Sequence, residues 1–300
     1  MKNSSSHSRD PRSLLRRILA AIANEVRLAM RTGAGRIGLP LVALHLFLAA
    51  FGPWLTPYTP TDFHLDDQLA YPSLAFPLGT DEFGRDILSR VMAGARSIIL
   101  VSLAGSALGI ALGTIIGMAS GYKGGKTDEI TMRVMDGLMS FPSLLLALLV
   151  LSVLGSNQIN IVGTIGVVFM PRVARVMRSA TLALKEMEFV QNAKLRGESS
   201  FYIVFQEILP STIPVLGVEA SVRLSYAILI ASSLGFLGLG VQPPSPDWGL
   251  MISENQRFIV QAPWVALVPA GAVATLVIGV NLLTDGLRQA RGLPIKGGSG

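Results

Sequence analysis

The chain has 300 residues, of which 50% are hydrophobic and only 15% are Asp, Glu, Lys or Arg, well below the roughly 25% charged content of soluble domains. The mean hydropathy of +0.53 agrees. The absence of cysteine excludes disulfides, thiolate nucleophiles, Cys-ligated zinc and iron–sulfur clusters, and His7, His45 and His64 are too scattered for a local metal motif. The composition is that of a polytopic, all-α membrane protein.

In chain order, residues 1–12 read as a disordered basic tail. Over 13–31, Leu15, Ile18, Leu19, Ile22, Val26, Ala29 and Met30 share one helical face while Arg16, Arg17 and Arg27 interleave with them. This pattern predicts an amphipathic helix lying on the inner leaflet. A spanning helix needs about 20 mostly apolar residues, and six segments are candidates: 37–55, 97–120, 138–154, 159–171, 213–240 and 263–283. Before the second span, Thr80 and Asp81 are placed to cap a helix beginning near Phe83, with Gly84 as an alternative turn. The second span carries Gly105, Gly109, Gly113, Gly117 and Gly121, four apart. They predict close helix packing along a stripe that winds by about 40° per step, which suits a right-handed crossing or more than one neighbour. Gly125-Lys126-Thr127 resembles the end of a nucleotide-binding loop, but Ser120 stands where the first glycine must be. Residues 121–127 read as a flexible cytoplasmic turn.

The fourth span is the weakest by hydropathy and is retained because of charge. Cytoplasmic segments collect Lys and Arg. With six spans and both termini cytoplasmic, 20 of the 25 basic residues fall inside, and the two main outer loops hold eight acidic residues against four basic ones. The net charge of +6 therefore belongs to a basic inner face suited to anionic lipid, not to nucleic acid. Within the inner loop 172–212, residues 181–196 read as a helix closed by Gly197, and 201–209 as a second helix ended by Pro210. The exposed apolar positions fit either docking to a soluble partner or packing on the chain's own bundle. Glu219 and Arg223, four apart in the fifth span, share a face. They form either an internal salt bridge or part of a polar route.

Several blocks carry a resemblance. Glu188-Phe-Val-Gln-Asn-Ala-Lys-Leu-Arg-Gly197 followed by Ile208-Leu-Pro210 resembles the E-A-A…G…I-L-P loop of ABC importer permeases, with Gln191-Asn192-Ala193 at the triplet. Pro77-Leu-Gly-Thr-Asp-Glu-Phe-Gly-Arg-Asp-Ile-Leu-Ser-Arg90, Phe236-Leu-Gly-Leu-Gly-Val-Gln-Pro-Pro-Ser-Pro-Asp-Trp-Gly249 and Asn281-Leu-Leu-Thr-Asp-Gly-Leu-Arg288 are similar to segments of the C-type permeases in the dipeptide/oligopeptide/nickel group. The resemblance runs from about Phe51 to Arg288. It implies a type I importer permease fold, with a cytoplasmic tail and interfacial helix over 1–36, a first span and outer loop over 37–96, a core over 97–287 with a coupling loop at 181–210, and a tail over 288–300. It also implies a non-catalytic subunit of the bacterial inner membrane. Its partners would be a second homologous permease, two ATPases that hold ATP and magnesium, and an extracytoplasmic solute-binding protein. The chain itself would need no cofactor. Gln191, Asn192, Ala193, Gly197, Ile208, Leu209 and Pro210 are then the expected ATPase-coupling element. Glu219 and Arg223 are the expected translocation path, on which Ala231 stands where the group often has an acidic residue. The expected cargo is a dipeptide or oligopeptide. Nickel or another small solute is the alternative within the group, and a stand-alone secondary transporter is the alternative outside it.

Overall fold

The computed structural model describes residues 25–291. The predicted tail, and residues 13–24 of the predicted interfacial helix, lie outside them. The described residues form helices α1 (Gly33–Leu55), α2 (Ile87–Lys123), α3 (Gly125–Met139), α4 (Ser143–Leu154), α5 (Gln158–Leu184), α6 (Glu188–Leu195), α7 (Leu209–Phe236), α8 (Trp248–Asn255) and α9 (Trp264–Ala290). A helical turn, Ser200–Tyr202, and a π-helical stretch, Ile203–Ile208, lead directly into α7. Among the described residues, five helical segments are long and apolar enough to cross a membrane, α1, α2, α5, Ser200–Phe236 and α9, and a sixth is counted if α3 and α4, bent by 89°, form one span.

The chain divides into two compact units, one from Met1–Ala43 with Ile278–Gly300 and one from Leu44–Val277. In the described part of the first, Thr32 Oγ1 donates to the Ala29 carbonyl and accepts from the Gly35 amide, and Arg291 pairs with Glu25. In the second, α2 and α5 form the central pair. A Cβ built on Gly105 would lie 2.8 Å from Ile165, on Gly109 2.9 Å from the Gly166 carbonyl oxygen, and on Gly113 2.7 Å from the Met170 carbonyl oxygen; on Gly117 it would strike the Ala174 carbonyl, and on Gly121 it would come within 3.0 Å of the Arg178 carbonyl oxygen. The winding stripe thus follows a single partner helix along its whole length rather than serving two.

The structure corrects five boundaries. The predicted helix 181–196 is interrupted, because α5 ends at Leu184 and α6 starts at Glu188 after the extended Met187. The third predicted span is not straight. Pro142 disfavours α geometry at Phe141, the helix breaks between Met139 and Ser143, and α4 alone, with 12 residues, reaches only about 18 Å. The fourth does not stop at Pro171, because α5 continues through Arg172, Arg175 and Arg178 to Leu184. Pro210 does not end a helix but sits at the start of α7. The π-helical stretch before it widens the hydrogen-bond ladder, with the Leu209 amide reaching the Val204 carbonyl, so the turn tolerates proline's missing N–H. Residues 121–127 are not an extended turn either: α2 runs to Lys123 and α3 starts at Gly125.

Replacing Gly117 by leucine, against the Ala174 backbone, should lower the melting temperature of the purified protein by about 5 °C or more through overpacking. Gly137→Ala, at an exposed helical position with nothing within 4 Å, should leave it unchanged or slightly raised. Differential scanning fluorimetry in detergent distinguishes the two.

Candidate functional site

At one end of the α2–α5 pair, α6 hangs between α5 and the π-helical stretch. Its Val190 and Ala193 are sealed, at 0% exposure, in a cluster with Met118, Val173, Met177, Ile203, Val204 and Ile208. Each large aliphatic side chain buried in this way contributes about 1.5–3 kcal/mol. Gly197, at φ +78°, closes α6: its amide donates to the Lys194 carbonyl and that of Glu198 to the Ala193 carbonyl, the paired bonds of a left-handed helix stop. Gln191 Nε2 donates to the Lys185 carbonyl at 3.1 Å and to Glu186 at 3.4 Å, tying α6 to the end of α5. Lys194 lies over the Tyr122 ring, and Arg196 pairs with Glu198 and Glu207.

The seven residues expected to form the coupling element therefore do not make one outer surface. Ala193 and Ile208 face the core, Leu209 packs half-buried against it, Gln191 serves the α5–α6 junction, Gly197 shapes the helix end, and Asn192 and Pro210 are exposed. The outer face is built instead by Met187, Phe189, Leu195, Phe201 and Tyr202; Leu195 is 85% exposed and Phe201 72% exposed. Helical phasing from Val190 and Ala193 could have identified Leu195, which points away from both.

Three arginines spaced one turn apart on α5 reach the bent pair α3–α4. Arg172 Nη1 donates to Ser143 Oγ at 2.8 Å, Arg175 pairs with Asp136, and Arg178 grips Asp128 with two bonds of 2.6 and 2.5 Å. This two-bond geometry is the arrangement in which a guanidinium holds a carboxylate best. The ladder ties both limbs of the bend to the helix that leads into α6.

Glu219 and Arg223 on α7 do pair, Arg223 Nε donating to Glu219 Oε1 at 2.7 Å, each side chain 12% exposed. The guanidinium carbon stands 5.6 Å from the centre of the Phe169 ring and 5.8 Å from that of Tyr226. Farther along α7, Leu229, Ser232, Ser233 and Phe236 line, with Leu144, Leu237 and Ile252, an open groove of about 380 Å³.

At the opposite end, Asp86 rather than Thr80 or Asp81 caps α2, accepting from the Ser89 amide and hydroxyl at 2.8 and 2.6 Å. Asp81 instead accepts from the Phe83 and Arg85 amides and from Arg85 Nε at 2.6 Å, and Arg85 and Arg90 both reach Glu254. Arg85 pairs with Asp81 and Glu254, not with Asp86. Trp248 is fully buried and donates to the Val91 carbonyl at 3.0 Å. Beside it Asp247 caps α8 through the Leu250 amide. Asp247 also lines, with Ser97, Ala231 and Gly240, a cavity of about 10 Å³, room for one water. Burial pushes the Asp247 carboxyl up from its ordinary value, against the Leu250, Val241 and Gly249 amides that favour the charged form.

The profile of a family described as "Binding-protein-dependent transport system inner membrane component" matches residues 109–291. The chain is 38% identical over 259 residues to a di/tripeptide transport system permease protein of Pseudomonas aeruginosa, covering 84% of this chain and 86% of that one. It is 37% identical over 254 residues to a dipeptide transport system permease protein of Alkalihalophilus pseudofirmus, covering 85% and 84%. With a glutathione transport system permease protein of Pectobacterium atrosepticum it shares 38% over 250 residues, 83% of each chain.

The Asp247 environment carries a sign. A carboxyl whose folded pKa lies above its unfolded value of about 3.9 loses stability as pH rises through that range, because ionisation is costlier in the folded state. The stability of the wild type minus that of Asp247→Asn, which keeps the cap, should therefore fall as pH rises from about 4. Melting curves of both proteins across pH give this difference, and a difference that rises with pH would contradict the burial argument.

Proposed function

The chain belongs to the family of binding-protein-dependent transport system inner membrane components, and from that membership we propose how its parts serve ATP-driven import of short peptides. It is a multi-pass permease subunit of the inner membrane. The peptide cargo is supported by relatives named for di/tripeptide, dipeptide and glutathione transport. In this reading the working assembly contains a second homologous permease, two ATPases carrying ATP and magnesium, and an extracytoplasmic binding protein. Both termini face the cytoplasm, where the basic residues concentrate.

The observation that carries the reading is the two-sided coupling helix. The inner face of α6 is locked into the core, while its outer face and the adjacent turn Ser200–Tyr202 offer Met187, Leu195 and Phe201 to a soluble partner. A well-packed inner face lets a push on the outer face move α5 rather than merely deform the loop. When ATP draws the ATPases together, α6 shifts, and Gln191 and the buried cluster pass the shift to α5. The α2–α5 contact keeps that pair together, and the arginine ladder carries α3 and α4 with it. The π-helical stretch connects the same cluster to α7. Cargo released by the binding protein enters the groove beside Phe236 and moves along α7 past Tyr226 to Arg223 and Glu219. Its volume is in the range of ordinary small-molecule sites. The chain contributes geometry and no hydrolytic chemistry; the energy comes from the ATPase subunits.

Leu195→Asp combined with Phe201→Asp should leave the chain folded, since both side chains are exposed, and should reduce ATPase co-purification by at least about tenfold, the order expected when a buried hot-spot contact is lost. Deletion of residues 187–197 should abolish it. Recovery of an intact complex from the deletion would refute the docking assignment.

A further inference from the structure

Resting on the reading of α7 as lining the cargo route, we propose that Arg223 is a carboxylate-binding station that reads the free C-terminus of a short peptide, with Glu219 receiving its ammonium group. Arg223 spends only Nε on Glu219. Among the described residues its two Nη groups make no hydrogen bond, and neither is sealed from solvent. Two donors thus remain in the planar fork that fits a carboxylate. The fork is held in place from two sides: Phe169, 1% exposed and part of the α2–α5 contact, is a stiff floor, and Tyr226 flanks the other edge. Glu219 uses one oxygen for Arg223 and keeps the other available.

The pair also selects the charge type. A charge deep in a span is costly unless neutralised, and Glu219 neutralises Arg223 in the empty route. A dianion arriving at Arg223 would meet the Glu219 carboxylate and be repelled. A zwitterion would add one charge of each sign and leave the site neutral.

The test uses the whole complex, reconstituted in proteoliposomes with its ATPases and binding protein. It measures uptake of a dipeptide and of its C-terminal amide, each at a concentration saturating the binding protein, so that recognition by that protein cancels. The wild type should transport the free acid about tenfold faster than the amide, as loss of a charge-assisted contact implies. Arg223→Gln should slow the free acid about tenfold and leave the amide within about twofold, removing the discrimination. Arg223→Lys should fall between, because it keeps the charge and loses the fork. If Arg223→Gln fails to assemble with Glu219 left unpaired, the double variant Glu219→Gln, Arg223→Gln removes both charges and should likewise show no preference for the acid. Equal slowing of acid and amide, or a preference that survives in either variant, overturns the station. Absence of uptake of both peptides by the wild type would instead overturn the peptide reading on which it rests, a distinct outcome.

Discussion

The close approach of α2 and α5 is the constraint on which the rest depends. Five glycines on successive turns of α2 put no α2 side chain between the two backbones, and the carbonyls and side chains of α5 fill that space. In a bilayer, where lipid tails are as apolar as leucine, such contact is what holds helices together. It fixes α5 in place, and α5 carries nearly every feature with a functional reading. Phe169 lies beneath Arg223, three arginines face the bent pair, and the last turn receives the Gln191 amide.

From that pair outward, the molecule pairs stiff contacts with a few deliberate breaks. The cluster around Val190 and Ile208 fastens α6 to α2, α5 and the entrance of α7. The breaks fall beside it: Pro142 bends α3 against α4, and the π-helical stretch admits Pro210. Irregular helix geometry of this kind concentrates at functional positions. At the opposite end of α2 the buried Trp248 and the charged group of Asp81, Arg85, Arg90 and Glu254 close α2 against the α8 segment. A permease needs both: segments that move as units, and places where one unit can turn relative to another.

What was legible in the sequence was local or periodic. The four-residue spacing of the glycines and of Glu219 and Arg223 follows from helix geometry alone, as does the left-handed stop at Gly197. The apolar runs locate the spans because hydrocarbon thickness sets a length. What was not legible depends on contacts between distant residues. Arg172, Arg175 and Arg178 read as loop charge, and only their partners at Ser143, Asp136 and Asp128 reveal a helix continuing past Pro171. Pro210 reads as a stop because the compensating π-turn has no composition signal. Asp86 outcompetes Thr80 and Asp81 as the cap because Asp81 is drawn to Arg85 and Arg90. The residues suggested for coupling by family resemblance are largely the ones that hold the loop together, while Leu195 and Phe201 are exposed. Resemblance follows the chain and does not separate an inward face from an outward one.

The central claim is that this chain moves peptide only as the membrane part of an ATP-driven assembly coupled through α6. The most direct measurement is uptake of a labelled dipeptide into proteoliposomes under two energy supplies, ATP with the ATPases and binding protein present, and an ion gradient with the permease subunits alone. The account predicts uptake in the first and none in the second. Gradient-driven uptake without the ATPases would contradict it and make the chain a secondary transporter.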